Sequence, residues 1–272
     1  MNAAERWQRM VEAEHAQSDR ARWEAPPSDH WKPYAENFRA DPLRTDDELL
    51  DRLLEDVRPE DRVMDVGAGG GRLALALALS CGQVVAVEPS QSMGSVLLDE
   101  ARTHGIGNVS LVEARWEDAE VEPADVVLCC HVLYVVHDVD VFVRKLNDHA
   151  RRKVQVVLYD RSPQFQNSPL WELVHGEERL QLPAVPELRE VLQEMGVDAR
   201  FDPLPPHPSR GFDSVEDAVG QLTARLYLAP GGEKQKLLEE SLPGLLVEED
   251  GIFRIRGTPE LTPMVVSWQP RG

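Results

Sequence analysis

Between about residues 61 and 160, short β-branched runs alternate with segments of helix length. The apolar runs read RVMDV, QVVAV, NVSLV, ADVVLCC and KVQVVLY, and the helix-length segments cover about 70–80, 91–104 and 138–150. Strands that are joined through helices run parallel, because a right-handed crossover returns the chain to the same edge of the sheet. The alternation therefore predicts an α/β fold with a doubly wound, mainly parallel sheet and helices on both faces.

One of these segments, LALALALS at 73–80, has an ambiguous pattern. Its strict alternation is typical of a strand, but alanine and leucine are strong helix formers. Because the segment directly follows a glycine-rich loop, we predict a helix that begins at that loop.

The ends of the chain add elements to this sheet. Residues 1–60 are predicted to form a helical extension or lid with proline breaks, and its Trp7, Trp23 and Trp31 are expected to pack onto the core. The main domain is then 61–272. In its last third, VPELREVLQEMGV predicts a helix, DARFDPL and PMVVSW predict strands that bring the sheet to seven, and GIFRIRG is a further candidate strand.

A helical insertion is predicted within the main domain. The turn PLPPHPSRG is followed by two predicted helices at about 214–229 and 232–246. We interpret about 205–250 as an insertion or lid over the carboxyl edge of the sheet, since the final strand otherwise has no obvious neighbour.

The charge balance narrows the classes of partner. With 29 basic and 48 acidic residues the net charge is −19, which repels a phosphate backbone and disfavours nucleic acid as a substrate. No segment resembles a signal peptide and no stretch reaches about 18 uninterrupted apolar residues, so we expect a soluble cytoplasmic protein without membrane contact. The three cysteines show no disulfide framework or zinc spacing, and no other group of residues compels a metal site.

The loop after the first strand, VMDVGAGGGR at 63–72, is the main ligand-binding signal. Its glycines let the backbone approach a ligand, and the free N–H groups of the next helix favour electron-rich atoms. Dinucleotide-binding loops follow GxGxxG, whereas Arg72 stands here in place of the third glycine. The second strand leads to Glu88, where a carboxylate can accept hydrogen bonds from both hydroxyls of a ribose. The alternative for Glu88 is a solvated residue at a strand end.

Four segments together resemble the class I S-adenosylmethionine-dependent methyltransferases, in the group that includes enzymes acting on small molecules. They are VMDVGAGGGR, VVAVEPSQSM, NVSLVEARWED and ADVVLCCHVLYVV, within about 45–160. The resemblance implies a Rossmann-like fold, S-adenosylmethionine as cofactor and S-adenosylhomocysteine as product. It also implies that Asp65 lies near the cofactor's amino group and that Glu88 holds the ribose. The residues that it places beside the methionine and ribose part are Gly67, Ala68 and Gly69, and those beside adenine are Pro89 and Met93.

The segment after the third strand departs from the family pattern. Many relatives have an acidic residue there that accepts from the adenine amino group, but this sequence has Arg115 and Trp116. Because a guanidinium cannot accept a hydrogen bond, we expect Glu117, Asp118 or a backbone carbonyl to take that role. Trp116 either stacks near the base or is a core aromatic. Arg72 is interpreted as a cation on the helix face in preference to a cofactor neighbour.

The segment after the fourth strand, CCHVLYVVHD, occupies the place that usually faces the transferable methyl group in this family. It lacks the NPPY-like tetrapeptide of many amino-group methyltransferases, the metal-binding acid of the catechol type and the Pro-Cys nucleophile of cytosine-C5 enzymes. Cys129 and Cys130 are interpreted as small residues packed under the cofactor. His131 and Tyr134 are the candidates to face substrate, and His131 is either a general base or a structural histidine.

These observations predict methyl transfer to a small-molecule nucleophile by in-line displacement. Such chemistry needs mainly alignment and exclusion of water, so a covering element is expected. Trp31, Tyr34 and Phe38 and the helices at 214–246 either form this lid or only cap the core. The alternatives are a non-catalytic relative that binds the cofactor or its product, and a nicotinamide-dependent oxidoreductase, which the missing third glycine disfavours. We expect a monomer or a homodimer.

Overall fold

A seven-stranded sheet forms the centre of the protein. The computed structural model describes residues 1–25, 27–206 and 211–270. The strands in these ranges are β1 (Arg62–Val66), β2 (Gln83–Val87), β3 (Val109–Val112), β4 (Ala124–Cys130), β5 (Ala150–Tyr159), β6 (Arg200–Pro203), β7 (Leu246–Glu249), β8 (Ile252–Ile255) and β9 (Pro263–Trp268). The large sheet has the order β3-β2-β1-β4-β5-β9-β6. Its strands run parallel except β9, which is antiparallel to β5 and β6, so the predicted mainly parallel, doubly wound fold is confirmed.

Three helices cover each face of this sheet. The helices in the described ranges are α1 (Ala3–Ala21), α2 (Glu48–Leu54), α3 (Ala74–Ala78), α4 (Gln91–Thr103), α5 (Val139–His149), α6 (Ser168–His175), α7 (Val185–Glu194), α8 (Val215–Arg225) and α9 (Glu233–Leu245). Apolar residues of α1, α5 and α7 share one buried cluster with the strands, and those of α2, α3 and α4 share another. Every residue of α3 is buried, so the apolar character of LALALALS reflects a helix packed on the sheet. Of these described helices, none is long and apolar enough to cross a membrane.

The last third of the chain builds a second, smaller core. Helices α6, α8 and α9 and the hairpin β7–β8 bury apolar side chains against one another, among them Trp171, Leu222 and Leu238. Since β9 is antiparallel to its neighbours, the chain leaves β6 and enters β9 at the carboxyl edge of the sheet. We call α6, α8, α9, β7 and β8 the carboxyl-edge insertion.

Two details of this region differ from the sequence-based expectation. GIFRIRG forms β8, which pairs with β7 and not with the large sheet, and α6 was not predicted. The hairpin belongs to the inserted part because β7 follows α9 directly and buries Leu246 in the same cluster. The predicted turn PLPPHPSRG lies partly outside the described residues, which stop at 206 and resume at 211.

Helix α1 is joined to both cores by buried polar contacts. The indole of Trp7 is fully buried and donates to the carbonyl of Val136 at 2.8 Å. Further along α1, the buried carboxylate of Glu14 pairs with the buried guanidinium of Arg179. The same guanidinium lies 3.7 Å over the ring of Trp171 in the carboxyl-edge insertion. Helix α1 therefore connects the sheet to the insertion.

The chain between α1 and α2 is largely irregular, so the breaks predicted at its prolines extend over most of this stretch. Its helical part within the described residues is a short 3-10 turn, Ala35–Phe38. Trp23 and Trp31 are 52% and 42% exposed, which corrects the expectation that they pack onto the core. Because α1 and α2 lie on opposite faces, residues 27–41 pass over the carboxyl edge of the sheet, and we call them the N-terminal strap.

Candidate functional site

The glycine-rich loop turns the chain from β1 into α3 at the carboxyl edge. Gly67, Gly69 and Gly71 have φ values of 75°, 56° and 88°, in the left-handed region that favours glycine. The amides of Gly67 and Ala68 both donate to the carbonyl of Val87, at 2.8 and 3.3 Å. The loop is thereby fixed against the end of β2.

The space around this loop differs from one glycine to the next. A Cβ atom on Gly67 would lie 2.3 Å from Cγ2 of Val132, the second residue after β4. A Cβ on Gly70 would lie 2.9 Å from the carbonyl oxygen of Phe38 in the N-terminal strap. By contrast, nothing lies within 4 Å of a Cβ built on Gly69. The loop is therefore covered on two sides and borders open space at Gly69.

Glu88 is anchored beside this open space. One carboxylate oxygen accepts from the amide of Gly69 and the other from the amide of Ser90, each at 2.8 Å. The side chain is buried, and burial raises the pKa of Glu88, although the two amide hydrogen bonds oppose this shift. A carboxylate has about four lone-pair directions, so each oxygen keeps the capacity to accept from a ligand hydroxyl.

Asp65, at the carboxyl end of β1, is the most unusual group in the site. It is buried, and its Oδ1 has no hydrogen-bond partner among the described residues. Burial raises the pKa of Asp65 to about 7, the charge of Glu88 adds to the shift, and a hydrogen bond from the amide of Ala74 opposes it. A buried acceptor without a partner is costly, so this oxygen is a candidate to accept a hydrogen bond from a ligand.

The residues expected around adenine are divided between surface and core. Pro89 is exposed beside Glu88, whereas Met93 is buried in a small cluster with Ala35 of the strap and Val96. The acidic candidates and the arginine after β3 are all exposed; these are Arg115, Glu117 and Asp118. The charge of Glu117 also reaches the buried thiol of Cys129 and contributes to its raised pKa, after burial and the neighbouring groups.

Trp116 lies in the core. Its indole donates to the carbonyl of Phe142 at 3.4 Å, and its ring contacts Phe142 and, edge to face at 5.1 Å, His149. The ammonium of Lys145 lies 4.9 Å from the ring centroid. With 3% of the residue exposed, no face of the ring is open to a base, so the packing supports the core alternative over stacking on adenine.

The exit of β4 brings three aromatic rings together. His131 has a φ of 58°, uncommon for a non-glycine residue, and its ring stacks on Tyr159 at 4.4 Å. Its Nδ1 lies 3.1 Å from the hydroxyl of Tyr134, which also accepts from the amide of Tyr159 at 2.7 Å. Tyr159 was not identified as a site residue from the sequence, although its position at the carboxyl end of β5 could have indicated it.

The two cysteines at this exit are not reactive groups. Cys129 is fully buried in the sheet, and burial raises its pKa. Burial also raises the pKa of Cys130 to about 12. Both thiols therefore stay protonated near neutral pH, which favours a packing role over a nucleophilic one.

A charged cluster lies beside the aromatic rings. Asp47 accepts from Arg44 at 2.8 Å and from Arg72 at 2.6 Å. Two guanidinium groups on one carboxylate leave a net charge of +1. The charge of Arg72 reaches His131 and contributes, after burial, to lowering its pKa to about 4. Arg72 is thus a helix-start cation near the site, and Asp47 and Arg44 gave no signal in the sequence.

The N-terminal strap is bound along α4. Asp29 accepts from the hydroxyl of Ser90 at 2.9 Å and from the amide of Ser92 at 3.1 Å. Ten residues later, Arg39 pairs with Asp99 at 2.9 Å. Trp31, Tyr34 and Phe38 remain about two fifths exposed, and the rings of Trp31 and Phe38 lie 5.4 Å apart. The strap therefore brings apolar surface to the edge that carries the glycine loop.

Gly67 has a close neighbour and Gly69 has none, so the same alanine substitution should destabilise the protein by different amounts at the two positions. Gly67→Ala adds the overlap with Val132 to the left-handed strain, so we expect a loss of about 2–5 kcal/mol in the free energy of unfolding. Gly69→Ala has the strain alone and should lose about 1–2 kcal/mol. Urea denaturation of both variants measures the difference. Equal losses would show that Val132 yields freely.

The doubly wound sheet with a glycine-rich loop after β1 is a Rossmann-like architecture. Residues 64–158 match the family model described as a methyltransferase domain, a range that runs from β1 to β5. This part of the chain thus matches a methyltransferase domain, in agreement with the sequence resemblance.

Relatives of this chain match only parts of it. An uncharacterized protein of Haemophilus influenzae is 26% identical over 170 residues, 62% of each chain. The ubiquinone biosynthesis O-methyltransferase of Hahella chejuensis is 37% identical over 86 residues, 29% of this chain and 34% of that protein. The chain thus spans less than two thirds of either curated relative. The crystal structure of the YcgJ protein of Bacillus subtilis matches with a TM-score of 0.55 at 18% identity, over 82% of this chain and 98% of that one, which shows the fold.

Proposed function

We propose that the protein transfers the methyl group of S-adenosylmethionine to a small-molecule nucleophile. The observation that carries the proposal is the pair of buried carboxyl groups, Asp65 and Glu88, beside the open side of Gly69. The Asp65 oxygen without a partner can accept a hydrogen bond from a cationic amino group. Glu88 lies at the end of β2, where a carboxylate can accept hydrogen bonds from the hydroxyls of a ribose. The methyltransferase match and the O-methyltransferase relative support the same reaction class.

The described residues fit this cofactor. Asp65 would hold the amino group and Glu88 the ribose, with the backbone at Gly67, Ala68 and Gly69 along the methionine part. Pro89 is exposed next to Glu88 and would face adenine, while Glu117 or Asp118 would accept from its amino group.

The reaction asks little of the side chains. S-adenosylmethionine supplies a methyl group that its positive sulfur already activates. The chain's own contribution is to bind, to align the nucleophile and to exclude water. We propose that the N-terminal strap and the carboxyl-edge insertion provide the cover, because both lie at the edge that carries the loop.

We also propose that the protein acts in the cytoplasm, as a monomer or homodimer, and on small molecules in preference to nucleic acid. The net charge of −19 supports the last point, since it repels a polyanion.

Calorimetric titration with S-adenosylhomocysteine, run beside NADH, tests the cofactor assignment. We expect micromolar binding of the former and none of the latter. Binding of NADH alone would overturn the proposal. If neither bound, the cofactor site would be degenerate and the chain a non-catalytic relative.

The protonation of Asp65 gives the titration a second readout. In the free protein its pKa of about 7 keeps this carboxyl mostly protonated at about pH 6. A bound cationic amino group favours the ionised form, so binding at about pH 6 should release a proton and the measured enthalpy should depend on the buffer's ionisation enthalpy. At about pH 8.5 Asp65 is already ionised, so this release should vanish. Asp65→Asn should abolish the release at about pH 6, and a buffer dependence unchanged in that variant would assign the proton to another group.

A further inference from the structure

The hydrogen bonds around Tyr134 determine where the protons of His131 lie. The hydroxyl of Tyr134 accepts from the amide of Tyr159 at 2.7 Å and lies 3.1 Å from Nδ1 of His131. The amide can only donate, so the phenolic oxygen is the acceptor in the first contact. Tyr134 is 5% exposed, and within the described residues the acceptor available to its own proton is Nδ1 of His131.

This network assigns the tautomer of His131. A phenol carries one proton, and leaving that proton unpaired in a buried place costs about 1–3 kcal/mol. Tyr134 therefore donates to Nδ1, which must carry a lone pair, and the ring proton of the neutral imidazole sits on Nε2. The side chain is partly exposed and Nε2 makes no hydrogen bond within the described residues, so this N–H is open to a ligand.

The surroundings of the ring keep it neutral. One face stacks on Tyr159, and burial, with the charge of Arg72 added, lowers the pKa of His131 to about 4. Tyr134, Tyr159 and Cys130 lie near the ring, and the pKa of each is raised, so all three are uncharged near neutral pH. In addition to burial, the negative charge of Asp160 contributes to the raised pKa of Tyr134, and those of Asp65 and Asp47 contribute to the raised pKa of Cys130. With its proton on Nε2, the ring has its one basic lone pair on Nδ1, and the hydrogen bond from Tyr134 occupies that lone pair.

Building on the proposed function, we propose that His131 donates its Nε2–H to an anionic oxygen of the methyl acceptor and does not act as its general base. Tyr134 is then the positioning residue that fixes the tautomer. The positive charge of Arg72, which reaches the His131 ring, favours the same class of acceptor, a carboxylate or phenolate.

An acceptor that binds as an anion needs no base. The oxygen forms a bond to the methyl carbon while the carbon–sulfur bond breaks and its electron pair stays on sulfur. The negative charge of the acceptor and the positive charge of the sulfonium disappear together, and no proton is released in the step.

Nitrogen-15 NMR of the imidazoles tests the tautomer without any substrate. The protein has eight histidines, and the His131→Gln spectrum assigns the signals of His131 by difference. We expect a protonated Nε2 and an unprotonated Nδ1 from about pH 8 down to about pH 5. In Tyr134→Phe the donor to Nδ1 is lost, so the two tautomers should mix. A protonated Nδ1 in the native protein, or titration near the ordinary histidine pKa, would overturn the proposal.

Benzoate and benzylamine, as anionic and cationic probes of similar shape, test the acceptor class. Benzoate should shift the Nε2–H signal of His131, and benzylamine should not. His131→Gln retains an N–H donor on a side chain of similar reach and should keep benzoate affinity within about threefold, whereas His131→Ala should lose about 10- to 100-fold. A response to benzylamine alone, or to neither probe, would overturn the anionic-oxygen assignment. Binding of S-adenosylhomocysteine to the same samples tests the proposed function separately.

Discussion

Replacing Glu88 by alanine is expected to weaken the binding of S-adenosylhomocysteine by at least about 100-fold. The carboxylate would accept two ligand hydroxyls, and each hydrogen bond to a charged group contributes about 1.5–3 kcal/mol. The substitution also removes the acceptor of the Gly69 and Ser90 amides, which shape the loop. Isothermal titration calorimetry measures the affinity, and thermal unfolding checks that the variant is folded.

Two further variants make this result specific. Glu88→Gln keeps an acceptor oxygen for one amide but loses the charge, so its affinity should lie between those of Glu88→Ala and the native protein. Glu120→Ala removes an exposed carboxylate after β3 and should leave binding unchanged. If the folded Glu88→Ala variant bound S-adenosylhomocysteine with native affinity, the assignment of Glu88 to the cofactor site would be wrong.

Breaking the buried pair of Glu14 and Arg179 is expected to give the largest loss of stability. Arg179→Met leaves the Glu14 carboxylate buried without its cation, which typically costs about 3–5 kcal/mol in the free energy of unfolding. The methionine side chain still packs over Trp171, so most of the loss should come from the unpaired carboxylate of Glu14. Urea denaturation followed by circular dichroism measures it.

The double variant separates the charge from the packing. Glu14→Leu with Arg179→Met replaces both partners by apolar groups and should recover most of the loss. As a control, Arg144→Ala breaks the exposed pair with Asp140, at 2.7 Å, and should cost less than about 1 kcal/mol. A double variant as unstable as Arg179→Met would mean that the guanidinium stabilises the fold through its contacts with Trp171, Ser18 and Gln17 and not through its pairing with Glu14.

The sheet could be predicted because its strands have a local signature. Runs such as QVVAV and ADVVLCC are buried on both faces, so they are apolar throughout and rich in β-branched residues. The loop residues Gly67 and Gly69 and the strand-end Glu88 were also readable, because the carboxyl ends of parallel strands meet at one edge.

The strap and the direction of Trp116 could not be predicted. Residues 27–41 have no periodicity, and their position depends on distant contacts such as Asp29 with Ser90, separated by 61 residues. Trp116 follows β3 at the expected place, but contacts with Phe142 and Lys145 of α5 direct its ring into the core. Such contacts leave no pattern in a single sequence.

The carboxyl-edge insertion has an apolar core of its own, which is joined to α1 through the pair of Glu14 and Arg179 and the contact of Arg179 with Trp171. Trp171, Leu222 and Leu238 are buried against one another and not against the strands that carry the glycine loop. Substitutions on the insertion's surface therefore change the free energy of that unit with little effect on the core beneath Glu88. Substitutions in the insertion can therefore alter the cover proposed for the acceptor while they leave unchanged the residues proposed to hold the cofactor.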